Sequence, residues 1–485
     1  MRPFTFAGLL LTALLPHPVA LPAAPIENPQ SKIENSSHAS PAAADTQCSS
    51  LTRAPDGTLH LTYYGPAPAD AAPNSRTLWH ATLAPTATAF SAPRAIVTTP
   101  LLMENWADFA TLVVGTDSAL TAQWFQKSAP DAGGYDGWFS RSDDCGATWR
   151  TPARLGHEFV ALAPLSQGRT LAVWLESTRP HGDHAAPRPK RDPAVKRDPN
   201  APRPPRDPNA PYAPAMKLLA RLLAPDGSSL GEWTVDPDVC TCCQNTVAVL
   251  PGDRVFAAYR GHTADEIRDN KFSTFDLASR TWSKPAPLRD DGWKIAACPV
   301  NGPAADSRGP AVAVAWFTAA NNTPRVQARY SADSARTFSD SVVLDLGRPM
   351  GRIETVMLAD QTALILWMEL GTAENAAGIY ARRLWPDGQL SAAQLVADSS
   401  QARSSGFPRA ALRPSGRVVM SFTQPGEVTQ VRLLELDPKL FPRPTARALT
   451  QSTSGALNSR LSPLSFSPTP LEFCDTPSTP TLAAH

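Results

Sequence analysis

Seven short apolar runs, each carrying one or two aromatic rings, recur along this chain at nearly constant spacing. They are LHLTYY (59–64), LTAQWF (120–125), LAVWLE (171–176), VFAAYR (255–260), VAVAWF (312–317), LILWME (364–369) and VVMSFT (418–423). With Tyr64, Trp124, Trp174, Tyr259, Trp316, Trp367 and Phe422 as markers, the successive gaps are 60, 50, 85, 57, 51 and 55 residues. A strand-built unit of about 50 residues cannot bury a core alone and must pack against copies of itself, so the spacing predicts a radial all-β array, a β-propeller with one blade per unit. Turn signals between the runs agree: Pro55-Asp56-Gly57, Pro225-Asp226-Gly227, Pro386-Asp387-Gly388 and Pro414-Ser415-Gly416 suit tight hairpins. Units begin near Cys48, Asp108, Glu158, Cys242, Cys298, Arg352 and Pro408. The count predicts seven blades, the last short of a fourth strand that either the leader or the tail would supply.

The outlying gap holds a proline-rich stretch, 179–213, in which Arg-Asp-Pro recurs, and dense proline favours an extended surface excursion within the third repeat. Residues 1–24 pair a basic start with an apolar run and small residues, the pattern of a cleaved export signal. The run is too short to span a bilayer, so membrane insertion is not predicted. Residues 25–46 lack periodicity and read as a disordered leader, 47–440 as the propeller, and 441–485 as a Ser/Thr/Pro-rich tail. With 45 basic against 44 acidic residues the chain has no field to draw nucleic acid. An exported monomer is expected, and no cofactor is called for. Export places the seven cysteines where disulfides persist, and the odd number leaves one over.

Ser142, Asp144, Gly146, Thr148 and Trp149 fill every defined position of Ser-x-Asp-x-Gly-x-Thr-Trp, with a degenerate copy at 331–338 and a poorer one near 274–282. In such a turn the carboxylate and hydroxyls satisfy backbone groups, and glycine relieves a positive φ. This motif, the Asp box, resembles that of the sialidase superfamily, in particular exported bacterial exo-α-sialidase-like proteins. The resemblance implies a six-bladed propeller and a glycosidase with an arginine clamp on a carboxylate. The nearest approach to that family's Arg-Ile-Pro segment is Pro93-Arg94-Ala95-Ile96. Cys240-Thr241-Cys242-Cys243-Gln244 and Cys298-Pro299-Val300-Asn301-Gly302-Pro303 resemble segments of a subgroup of those propellers.

In a propeller, the loops leading into each innermost strand and those following each second strand ring one mouth of the channel. Those positions hold Asn105, Trp106 and Asp108; His157 and Glu158; Cys240 to Gln244; Cys298 and Asn301; Arg352 and Glu354; and Arg409, joined by Glu176, Arg260, Glu266, Arg268 and Glu369. Polar loops over a rigid scaffold are where binding sites are built. Asp108 and Glu158, from adjacent units, are the candidate catalytic pair of carboxyls. Asn105, Arg260, Glu266, Arg268, Asn301, Arg352 and Arg409 are candidates for holding a carbohydrate or other anionic small ligand, the arginines through bidentate bonds. Tyr259 is expected in the core, and His181, His184 and His262 in solvated loops. Cys240, Cys242, Cys243 and Cys298 admit either disulfides or a thiolate metal site, with Cys48 or His157 as further ligands. A bridge from Cys242 or Cys243 to Cys298 is easier than a vicinal one. The two functional readings are a channel-mouth glycosidase and a binding propeller without turnover.

Overall fold

The marker aromatics all lie on the second strand of an antiparallel sheet, four-stranded in six cases and five-stranded for Tyr259, and all seven are buried. The computed structural model describes residues 36–129, 134–178 and 212–445. Within them, seven sheets follow one another in chain order, so the propeller has seven blades and not the six of the alternative. The innermost strands are Gln47–Arg53, Thr111–Val114, Glu158–Pro164, Thr246–Leu250, Ala304–Arg308, Pro349–Met357 and Arg409–Leu412. The second strands are buried between neighbouring blades along most of their length, which is why their sequences read as unbroken apolar runs. Truncating a buried ring such as Trp316 or Trp367 costs roughly 3 to 5 kcal/mol.

Three of the indoles settle their N–H two residues further along the same strand, where the side chain returns to the same face. Trp124 donates to Gln126 (2.9 Å), Trp174 to Glu176 (2.7 Å) and Trp367 to Glu369 (2.6 Å). Glu176 and Glu369, two acids placed at the mouth by topology, therefore anchor core tryptophans. Tyr259 is a core residue, as expected, donating to Asp236 at 3.0 Å.

The ring closes at blade seven, whose outer strand is Ser36–His38, paired antiparallel with Gln430–Leu436. The leader read as disordered thus supplies the missing strand from residue 36 onward. His38 Nε2 lies 2.6 Å from Glu435 Oε2, and Ser40 Oγ donates to the Val431 carbonyl at 2.7 Å. The body also extends past 440: Phe441 is fully buried against blades six and seven, and Arg443 pairs with Asp387. The export signal, most of the proline-rich excursion, His181, His184 and the tail with Cys474 lie outside the described residues. That excursion joins the second strand of blade three, Thr170–Ser177, to the third, Met216–Leu223.

The Ser142–Trp149 turn connects the two outer strands of blade two, at the end of the barrel axis away from the mouth. Asp144 accepts from the Ser142 hydroxyl and from the amide and hydroxyl of Thr148 (2.8, 2.8 and 2.6 Å), while the Gly146 amide donates to Ser142 Oγ. Asp333 repeats these bonds with Ser331 and Thr337 in blade five, where Ala335 takes the glycine's position at φ +61°.

Candidate functional site

Loops leading into blades two, five and seven meet over one end of the channel and close it with a small apolar plug. Ala107, Val300 and Phe407 are buried there, with Trp106, Phe109, Cys242 and Cys298 packed around them. Trp106 stacks on Phe407 with centroids 5.9 Å apart. Gln244 ties three loops together, donating to the Ala107 carbonyl at 2.6 Å and accepting from the Gly302 amide at 2.8 Å. The approach is so close that a Cβ on Gly302 would sit 2.0 Å from the Gln244 carbonyl oxygen. Below the plug, an axial cavity of about 460 Å³ is lined by the innermost strands of all seven blades, including Asp108, Asp306, Glu354 and Arg409.

Four innermost strands carry a non-glycine residue in the left-handed region within their first residues or just before them: Cys48, Phe159 and Arg352 inside their strands and Val300 ahead of its own, at φ +54°, +53°, +52° and +48°. Such backbone is disfavoured for bulky side chains and persists only where its surroundings hold it. Irregularities in strand pairing accompany three of them, at Gln47/Ser50, Glu158/Ala161 and Gly351/Glu354. At Phe159 and Arg352 the amides leave the ladder for Asp108 and Asn301 Oδ1, and beside Val300 the Asn301 carbonyl meets Arg260.

Most of the expected anion clamp is consumed by backbone carbonyls. Arg260 donates to Asn301 O (3.1 and 2.7 Å), Arg268 O (2.7 Å) and Phe317 O (2.7 Å), with its guanidinium over Trp293. Arg352 donates to Ala402 O (3.0 Å) and Gly406 O (3.3 Å) and lies 4.8 Å over Trp106; burial brings its pKa down to about 10. Arg268 serves Ile295 O (2.9 Å), Glu266 (2.8 Å) and Cys240 Sγ (3.2 Å). Asn301 accepts from the Arg352 amide at 2.8 Å and donates to Met350 O at 3.2 Å. In this structure the planar fork of donors on these arginines fastens backbone carbonyls around the mouth. His262, expected in solvent, sits between Asp238 (2.9 Å) and Glu266 (3.1 Å). Arg409 alone of the arginine set faces the cavity, bonded to Glu354 at 2.8 Å and lying over Phe109.

Where blades two and three meet, Asp108 and Glu158 come together as their sequence positions predict. Asp108 is buried, and both its oxygens accept from the Phe159 amide (3.1 and 3.3 Å), the group that the left-handed turn presents. Burial, then the charge of Glu158, pushes the Asp108 carboxyl well above the usual range. Burial raises Glu158 as well. Tyr135 donates to Asp108 at 3.4 Å and accepts from Asn105 Nδ2 at 3.3 Å. His157 lies 3.5 Å from Glu158 and 3.6 Å from Asp136; although burial opposes it, these carboxylates hold its pKa above the ordinary value. Asn105, Trp106, Tyr135 and Glu158 are half-buried around Asp108. Tyr135, Phe109 and Phe407 were not singled out from sequence. Phe407 precedes Pro408 at a strand start, which is the one signal that marked it.

The thiols converge without bonding. Cys240 Sγ lies 3.6 Å from Cys243 Sγ and 4.0 Å from Cys242 Sγ, and all three sulfurs fall within 4.8 Å of one another. Cys298 lies beside them, its sulfur 3.4 Å from Thr241 Oγ1. All six described cysteines are free thiols, so the bridge to Cys298 is not formed in this structure. Neither Cys48 nor His157 joins the group. Burial would raise the Cys240 thiol, but hydrogen bonds from Cys242 and Cys243 and the charge of Arg268 bring it well below the ordinary value.

No protein-family model and no curated sequence matches this chain. Among solved structures it is similar to an α-L-arabinanase of Penicillium chrysogenum in complex with arabinobiose, at 11% identity and TM-score 0.45, over 84% of this chain and 100% of that one. It is also similar to an α-L-arabinofuranosidase of Fusarium graminearum in complex with arabinobiose, at 12% identity and TM-score 0.42, over 82% and 94%. An ulvan lyase bound to a glucuronate–sulfated rhamnose unit aligns at 8% identity and TM-score 0.46, over 84% and 98%. At these identities and scores the likeness assigns no substrate to this chain.

Proposed function

We propose that this protein is an exported propeller that binds a neutral carbohydrate at the mouth of its channel, on the side where blades two and three meet. The observation that carries the reading is the half-buried group Asn105, Trp106, Tyr135 and Glu158 around the buried Asp108. A sugar ring offers C–H faces to aromatic rings and hydroxyls to amides and carboxylates, and this group supplies both kinds of partner on rigid loops. A neutral ligand is favoured over an anionic one because Arg260, Arg268 and Arg352 spend their donors on carbonyls. The Ser142–Trp149 turn supports the sialidase resemblance only at the level of a strand-joining turn in a propeller, since there are seven blades where the resemblance implies six, and the arginine clamp of that chemistry finds no support.

Hydrolysis is the second reading, favoured by one arrangement: two carboxyls from adjacent blades, with Asp108 buried and pushed well above the usual range by burial and by the charge of Glu158. Calorimetric titration with neutral and acidic oligosaccharides, with product release assayed on the same panel, tests both. Neutral sugars are expected to bind, with affinity lost at least ~10-fold in Trp106→Ala while the fold is retained. Turnover abolished by Asp108→Asn and Glu158→Gln establishes hydrolysis. A preference for sialosides or uronides, or no binding to any sugar, overturns the proposal. Export is tested by fractionating cells that express the full chain.

A further inference from the structure

The thiol cluster stands apart from the sugar-binding reading. Three cysteines within four consecutive positions, 240, 242 and 243, point their sulfurs at one another, and two of them are almost wholly buried. A disulfide would need a separation near 2.05 Å. The separations here, 3.6 and 4.0 Å, are instead those between ligands sharing one ion. With metal–sulfur bonds of about 2.3 Å, tetrahedral thiolates lie about 3.8 Å apart and trigonal ones about 4.0 Å.

A second, independent observation concerns charge. The Arg268 guanidinium points a donor at Cys240 Sγ at 3.2 Å, and Arg260, bonded to the Arg268 carbonyl, lies just behind. A cation buried against sulfur compensates a thiolate, and two cations next to three or four thiolates plus one metal ion bring the buried charge close to balance. The backbone is equally fixed. The Cys240 amide donates to Arg260 O at 3.0 Å, and Gly302 lets the Cys298 loop lie directly on Gln244. Cys242 and Cys298 are half-buried, packed against the apolar plug of Ala107, Val300 and Phe407.

We propose that Cys240, Cys242 and Cys243 form a binding site for one thiophilic d¹⁰ ion, Zn(II) or Cu(I), with Cys298 as the thiol placed to complete it. The ligand chemistry common to both ions is thiolate coordination, in which each sulfur releases its proton as the metal binds.

The test uses the full chain, recovered from an oxidising compartment and, separately, reduced and stripped of metal. Elemental analysis is expected to find one ion per chain, and the reduced protein to take up one equivalent of Zn(II) or of Cu(I) in competition with a chelator. Co(II) in place of Zn(II) should give intense thiolate-to-metal charge-transfer absorption. Cys240→Ser and Cys243→Ser should lose that band, Cys298→Ser should weaken and shift it, and Cys145→Ser, on the far turn, should leave it unchanged. Because the wild-type protein alone reports stoichiometry and spectrum, misfolding of a variant leaves the test intact. Folded, reduced protein that binds neither ion, or binds equally after Cys240→Ser, overturns the proposal. So does recovery with disulfides among these four cysteines that return after reduction in the presence of metal.

Discussion

Replacing Glu354 by glutamine should stabilise the protein at neutral pH, and the size of the effect follows from its surroundings. Glu354 is 6% exposed, lines the axial cavity and bonds to Arg409 at 2.8 Å and the Ala410 amide at 3.4 Å. Burial outweighs the arginine and lifts the carboxyl from 4.5 to about 7. A folded-state value above the unfolded one means that the group's contribution is complete below pH 4.5 and is lost as pH rises through about 7. The difference of about 2.5 units corresponds to roughly 3 kcal/mol between those limits. Glutamine imitates the acid form and does not titrate, keeping an oxygen for Arg409. Relative to the wild type, Glu354→Gln should therefore gain about 2 to 3 kcal/mol on going from pH 4 to pH 8. Urea unfolding midpoints at the two pH values, at unchanged slope, measure it. A variant-minus-wild-type difference that is the same at both, or that moves the other way, would refute the reasoning. A stabilising outcome would also say that the carboxylate is retained for something other than stability, as buried charges at functional cavities often are.

Two further outcomes are expected. His60 and His80 stack with centroids 5.1 Å apart and share one hydrogen bond of 2.9 Å; burial lowers them to about 4 and about 3. Their contribution is intact above pH 6.5 and falls as the unfolded chain takes up protons between 6.5 and 4, by up to about 3 kcal/mol for the first proton, so His60→Gln should flatten that part of the stability profile. Gly302→Ala must displace the Gln244 carbonyl 2.0 Å from its new Cβ; a loss of roughly 1 to 3 kcal/mol is expected, together with faster labelling of Cys240 and Cys243 by a thiol reagent, and unchanged labelling would show that the two loops are not locked together.

The ring was legible because its repeating strand is enclosed on both faces. A run such as Ala311–Thr318 is apolar at nearly every position and ends in an aromatic that fills the gap between blades. The closing strand was not, for the opposite reason: Ser36–His38 is a three-residue outer edge with no apolar alternation, and only its pairing with Leu433 to Glu435 defines it. The mouth shows the same division. Propeller topology placed Asp108, Glu158, Arg260, Arg352 and the four cysteines at one end of the channel, since that depends only on where strands begin. What each does there depends on left-handed backbone at Cys48, Phe159, Val300 and Arg352, residue types that give no sign of it. Beside Val300 the Asn301 carbonyl takes two bonds from Arg260, and at Phe159 the amide goes to Asp108, while further loop carbonyls occupy the rest of the arginine donors. Charge at a loop position is thus weak ground for a binding role until the backbone acceptors around it are known. Thiols are a different case: a sulfur makes only weak bonds to carbonyls, so a cluster of them cannot be absorbed into loop fastening as the arginines were. That contrast is the reason that the cysteine segment, rather than the arginine set, is the part of the mouth whose chemistry most resists a purely structural account.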